Sequence, residues 1–122
     1  MSQRHHLFLI PGFFGFESLG ELLYFAHVRT YLPRALESFG LSAEIVSVDT
    51  MPTASLRRRT ERLLEAVARH AGSDDAPIHL VGHSSGGIDA RLFVTPGASL
   101  RSDVELEPLA RRVRSVVTIS SP

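Results

Sequence analysis

Residues Val81-Gly82-His83-Ser84-Ser85-Gly86-Gly87 follow the apolar run Ile78–Val81 and precede a stretch with helical spacing, which sets a G-x-S-x-G element between a strand and a helix. This junction constrains the chain more than any other feature. A serine placed there sits on a sharp, strained turn that lifts its hydroxyl above a sheet, and neighbouring Cβ atoms would crowd that turn. Gly82 and Gly86 leave the space, His83 fills the position between, and Ser84 becomes the candidate nucleophile. Ser85 is its nearest rival but lacks the symmetric glycine flanks. The alternative use of a glycine loop opening a helix, cradling a phosphate, needs Gly-x-Gly-x-x-Gly or a Gly-Lys-Ser/Thr ending. Neither occurs here.

The rest of the chain reads as strands alternating with helices. Leu7–Ile10 is a short strand buried on both faces, ended by Pro11-Gly12. Phe13–Gly20 is then a loop, and Leu32, Leu36 and Phe39 give a helix over Thr30–Phe39, with Pro33 at its first turn and Gly40 as the residue that closes it. Ala43–Val48 is a β-branched strand closing at Asp49. From Ser55, the positions Leu56, Leu63, Leu64, Val67 and Ala71 share one helical face. Arg57, Arg58 and Arg59 read as a solvated face of that helix near Glu61 and Glu65. Ile78–Val81 is the third strand, Ser84–Phe93 a helix stopped by Thr95-Pro96-Gly97, Pro108–Val113 a short helix and Ser115–Ile119 a fourth strand. Strands too apolar to leave one face wet, separated by helices, predict a parallel α/β sheet with right-handed crossovers.

Charge and composition exclude several functions. Thirteen basic and thirteen acidic side chains cancel, which leaves no electrostatic footprint for nucleic acid or an anionic membrane. Without cysteine there is no disulfide framework, thiolate metal site or cysteine nucleophile. Arg4 followed by Leu7–Ile10 has the outline of a signal peptide, but Pro11-Gly12 interrupts the apolar segment and no small-residue cleavage site follows. No apolar run reaches the ~18 residues that span a bilayer. A cytoplasmic product with no transmembrane segment is the expectation.

The histidines are informative by position. His5, His6, His27, His70, His79 and His83 all precede Ser84, whereas the acids Asp89, Asp103, Glu105 and Glu107 follow it. In this strand-turn-helix class the base comes after the nucleophile, so an acid alone cannot take the serine proton. Adjacent residues on a strand point to opposite faces, so His5-His6 reads as a strand edge and no metal site is expected. His83 is expected to pack under the sheet or elbow, and His27, His70 and His79 lie on the surface or are packed. Asp89 is too close to Ser84 to be the triad acid. Whole domains of this kind run to roughly 200–250 residues, so 122 residues predict the front part of one.

Several segments together resemble one family. They are Ile10-Pro11-Gly12-Phe13-Phe14-Gly15, Tyr24-Phe25, Pro52-Thr53-Ala54-Ser55-Leu56, His79 through Arg91, and Val113 through Pro122. In this order and spacing they are similar to bacterial lipases and esterases of the α/β-hydrolase superfamily, particularly triacylglycerol-lipase-like members. The resemblance implies a doubly wound parallel sheet of the α/β-hydrolase type, truncated after about four strands, with residues 1–122 as its N-terminal portion. It implies a serine hydrolase acting on carboxylic esters of apolar or lipid acids through an acyl-enzyme on Ser84. The triad acid and base would lie beyond Pro122, where such lipases continue with His-x-Gly-Ser. Those lipases carry His-Gly at the oxyanion loop where this chain has Pro11-Gly12. The donor is a backbone N–H, and the resemblance maps it to Phe13, with the Ser85 N–H as its partner. Phe14 and Phe16 are candidate acyl-pocket residues beside a core-packing alternative, and no metal or organic cofactor is implied. Thioesterase, amidase and acyltransferase chemistry, or a non-catalytic module binding lipid or a partner, remain alternatives on the same scaffold. Val and Ile side chains on the last strand predict self-association through an exposed sheet edge.

Overall fold

The computed structural model describes residues 4–12, 19–51 and 53–122, with the backbone alone for 19–24. Four parallel strands form one sheet: β1 (His5–Ile10), β2 (Ala43–Ser47), β3 (Ile78–His83) and β4 (Val113–Ile119), in the order β2-β1-β3-β4. The helices are α1 (Leu19–Glu37), α2 (Leu56–Ala71), α3 (Ser85–Phe93) and the short α4 (Leu106–Ala110). Strand alternation sorts the core into two layers. Phe8, Ile10, Ile78 and Leu80 face α2 and α3, where they meet Leu63, Leu64, Val67, Ala90 and Phe93. Leu7 and Leu9 face the other way and pack with Phe25, Val28 and Leu32 of α1. A sheet covered on both faces is the doubly wound arrangement expected.

The interior strands match the sequence reading, because a strand buried on both faces has no polar alternation to blur it. Leu7 through Ile10 are all buried. The edges of the sheet differ: β4 exposes Arg114, Ser115, Val117 and Thr118, and β2 is only half-buried throughout. The expectation that every strand lacks a wet face therefore fails at the two outer positions, where a strand has one neighbour instead of two. Boundaries move as well. β1 begins at His5, β3 continues through Gly82 and His83, and β4 starts at Val113. Val48 falls outside β2, although its N–H still donates to the Leu9 carbonyl at 2.9 Å.

The first helix departs furthest. It runs from Leu19 to Glu37, so the expected Thr30–Phe39 covers only its second half and overruns its end at Ser38 and Phe39, and Pro33 lies inside it instead of at its start. Leu19 and Gly20 are helical, and the remainder of the expected Phe13–Gly20 loop lies outside the described residues. The physical reason is packing: Phe25, Val28 and Leu32 carry an apolar stripe upstream that binds the sheet, and that burial outweighs the hydrogen bond Pro33 cannot donate. Phe39 does not join the stripe and is 79% exposed. Gly40 does close the helix. Its φ of +74°, the Gly40 N–H to Glu37 carbonyl bond and the Leu41 N–H to Leu36 carbonyl bond, both 2.9 Å, form a Schellman turn. Similarly, the short helix is Leu106–Ala110 and not Pro108–Val113, because Val113 is recruited into β4 opposite Ile78.

His5 and His6 open an interior strand, not an edge strand. His6 is buried, and its Nε2–H donates to the Asp74 carboxylate at 2.8 Å. Arg112 holds the same carboxylate at 2.9 Å and donates to the carbonyls of Ala71 and Ala76, which ties the end of α2 to the start of β4. The Ala76 N–H bond, offset in part by burial, and then His6 and Arg112 hold the Asp74 carboxyl below its ordinary value. At the other end of α2 the Ser55 hydroxyl accepts from the Arg58 N–H at 3.2 Å, an N-cap that starts the helix where the apolar face begins.

Candidate active site at the turn after β3

β3 ends at His83 and α3 starts at Ser85, which leaves Ser84 alone at the junction with φ +55° and ψ −126°. A non-glycine residue in that region is strained, at a cost of about 1–3 kcal/mol, and persists only where its surroundings enforce it. Two backbone bonds do so. The Ser84 N–H donates to the Ile119 carbonyl at 2.9 Å, and its own carbonyl accepts from Gly87 at 3.0 Å. The glycines allow the close approach: a Cβ on Gly82 would lie 2.5 Å from backbone atoms of Gly86 and Gly87. A Cβ on Gly86 would run into the carbonyl oxygens of Ile10 and Pro11.

Gly12 is a member of this constellation that the motif alone did not single out. A Cβ there would lie 2.8 Å from Ser84 Cβ and 3.4 Å from its Oγ, so the segment leaving β1 passes directly against the serine. Only a residue without a side chain fits between them. Phe13, the expected oxyanion donor, is next in sequence but lies outside the described residues, as do Phe14 and Phe16. Ser85 is the first residue of α3, where an N–H has no acceptor inside the helix and points to whatever anion lies at its start. The ring of His83 turns to the α1 side and meets Phe25 edge-on, with centroids 6.3 Å apart.

Behind the turn, α3 is fastened by a buried ion pair that the sequence reading missed. Asp89 is fully buried, and Arg59 Nε donates to its Oδ1 at 2.9 Å and to Oδ2 at 3.2 Å. Arg59 Nη1 reaches on to the Ala54 carbonyl at 3.0 Å, which joins the loop before α2 to the same anchor. Arg57 and Arg58 are exposed as expected, but Arg59 is not part of a solvated face. Burial pushes the Asp89 carboxyl up to about 6, against the opposing pull of the Arg59 charge and hydrogen bond. The signal available in sequence was register: on α2, Arg59 lies three residues after Leu56 and four before the buried Leu63, on the apolar face. Ser121, beyond β4, also closes on the turn: its side chain lies against Gly87, and its Oγ is buried with no hydrogen-bond partner among the described residues.

A family model described as the alpha/beta hydrolase family matches residues 7–121. The chain belongs to that family. Among solved structures, this family member is similar to an acetyl xylan esterase determined as an iodinated complex, with a TM-score of 0.63 and 15% identity. The match covers 100% of this chain and 65% of the esterase, so the alpha/beta hydrolase described here spans just under two thirds of that protein's length. At this identity the likeness concerns the fold. No curated protein matches the chain by sequence. No described helix of this family member is long and apolar enough to cross a membrane.

Proposed function

We propose that Ser84 is the nucleophile of a serine hydrolase that cleaves carboxylic esters, with apolar or lipid acyl esters preferred. The observation that carries this reading is the strained Ser84 backbone, φ +55°, at a strand-to-helix turn packed against Gly12. Strain of this kind is retained where it presents a side chain for use. Ser84 Oγ would attack the ester carbonyl, expel the alcohol and carry the acyl group, and water would then release the acid. The Ser85 N–H at the start of α3 and the Phe13 N–H beyond Gly12 would hold the oxyanion, a donor pair of which each member is worth about 2.7–4 kcal/mol in the transition state. In this reading residues 1–122 form the N-terminal portion of the catalytic domain. The triad acid and the histidine base would come from chain that follows, and no metal or organic cofactor takes part. His83 would support the elbow, and Phe14 and Phe16 would line the acyl pocket.

The test supplies the base from solution. The chain alone should show only residual turnover of p-nitrophenyl esters, of the order of 10³–10⁴ over water at most. Added imidazole should then accelerate fluorophosphonate labelling at Ser84, identified by peptide mass, beyond the rate of a Ser84→Ala control in the same buffer. Phe13→Pro should slow this labelling more than Phe13→Leu in protein of unchanged circular dichroism, because proline removes the donated N–H and leucine keeps it. Labelling at Ser85, or none at Ser84 in folded protein, overturns the assignment.

A further inference from the structure

The start of α3 offers its neighbours little side chain to grip. The buried residues nearest Ser84 are Gly86 and Gly87, which have none, while Ser85 and Ile88 are half-buried. The glycines set how closely α3 approaches the end of β1, but a contact without a side chain leaves the helix free to turn about its own axis. The apolar anchors of the helix, Ala90 and Phe93, lie in its second half. Asp89, one helical turn beyond Ser85, is therefore the first fully buried side chain after Ser84.

We propose that Arg59 and Asp89 are positioning residues for the serine turn: the pair fixes the rotation of α3 and so aims Ser84 Oγ and the Ser85 N–H, a role that rests on Ser84 being the reactive serine. The geometry of the link carries this. Arg59 Nε and Nη2 both lie 2.9 Å from Asp89 Oδ1, and Nε also donates to Oδ2 at 3.2 Å. A planar guanidinium on a planar carboxylate sets an angle as well as a distance. The guanidinium is itself held, because Nη1 donates to the Ala54 carbonyl at 3.0 Å and the Arg59 side chain is only 13% exposed. α3 is thus braced from α2 by two rigid groups in one fixed orientation.

Stability alone does not call for a charged link at this place, since an apolar pair of similar volume holds two helices together as well as a buried ion pair does. What an apolar pair lacks is direction, because hydrophobic contact is indifferent to the angle at which surfaces meet. The serine turn makes direction matter. Its φ of +55° is held by the Ser84 N–H bond to the Ile119 carbonyl and by the Gly87 N–H bond to the Ser84 carbonyl, and the strain persists only while both stay aligned. Rotation of α3 carries the Gly87 donor away from the Ser84 carbonyl, and Ser84 Oγ and the Ser85 N–H then lose their common aim. A displacement of about 1 Å at reacting groups can cost about 10²-fold in rate.

The double variant Arg59→Met with Asp89→Leu, made in the 122-residue chain, tests this because it keeps the burial and removes the fork. Amide hydrogen exchange read by NMR should show the Ser84 and Gly87 amides exchanging at least about tenfold faster than in the parent, measured against the Phe8 and Leu80 amides of the interior strands. Imidazole-assisted fluorophosphonate labelling of Ser84 should slow at least about tenfold in protein of unchanged circular dichroism. Asp89→Asn keeps the Oδ1 on which Nε and Nη2 converge, so it should label faster than the double variant although it strands a buried charge and unfolds more readily. A purely structural pair gives the reverse order, which would overturn the proposal. So would turn amides that keep their parent protection in the double variant, or labelling of that variant at the parent rate. A parent chain that never labels at Ser84, with the turn amides still exchanging faster in the double variant, removes the nucleophile assignment and leaves the hold of the pair on the turn in place.

Discussion

Ser84 carries a side chain in a backbone region where glycine is normally the comfortable residue, and that fact has a measurable sign. In a helix or strand interior, glycine is less stable than alanine by about 0.5–1 kcal/mol, because it loses more backbone entropy on folding. At φ +55° and ψ −126° the order reverses, since a Cβ collides with its own backbone. Ser84→Gly should therefore be more stable than Ser84→Ala by about 1–2 kcal/mol, read from urea unfolding of the two variants. Equal stability, or the usual order, would show that the turn is relaxed. Gly86→Ala acts in the opposite sense, because its new methyl meets the Ile10 and Pro11 carbonyls, both backbone and neither free to move. A loss of about 1–3 kcal/mol is expected, with weakened Ser84 labelling, because Gly86 sets how closely α3 approaches the end of β1.

Between elements, the Arg59–Asp89 pair decides where α3 sits on α2. Removing one member of a buried pair strands the other, so Asp89→Leu should cost about 3–5 kcal/mol, whereas the double substitution Arg59→Met with Asp89→Leu should recover most of that loss. A double-mutant cycle by chemical denaturation checks this, and additive losses would contradict it. The pair also has a pH signature. Asp89 holds its proton more tightly folded, at about 6, than at its ordinary value of 3.8. Its contribution is thus greatest at and below 3.8 and declines as pH rises towards about 6. Asp74, whose folded value is lowered, behaves in the opposite way: its contribution is present above 3.8 and is lost as pH falls through its folded value. Asp89→Asn should remove the first slope and leave the second, as unfolding measured across this range would show. The element scale also marks what was legible in sequence. The interior strands and the Gly82–Gly86 turn were readable because alternation and glycine spacing are local. The start of α1 was not, because a local proline cue competed with a stripe that matters only once the sheet exists. Arg59 and Asp89 are 30 residues apart, so the register of Arg59 on α2 can hint that it turns inward but cannot name its partner.

Across the whole molecule, the sheet order leaves β4 at an outer position, paired to β3 alone among the described strands. Its other row of backbone donors and acceptors has no partner strand there, and Val117 beside that row is 46% exposed. The opposite edge, β2, carries Glu44, which meets His70 at 3.3 Å and places a charge on that strand. On β4 the charge is Arg114, near the strand's beginning, and the sequence from Ser115 to Ile119 is neutral and, from Val116 on, β-branched. An edge of that composition favours pairing with a second chain. The protein should therefore self-associate at about tens of micromolar in sedimentation velocity, and Val117→Lys should return it to a monomer without loss of circular dichroism. A parent chain that sediments as a single monomer over this range would contradict the edge contact.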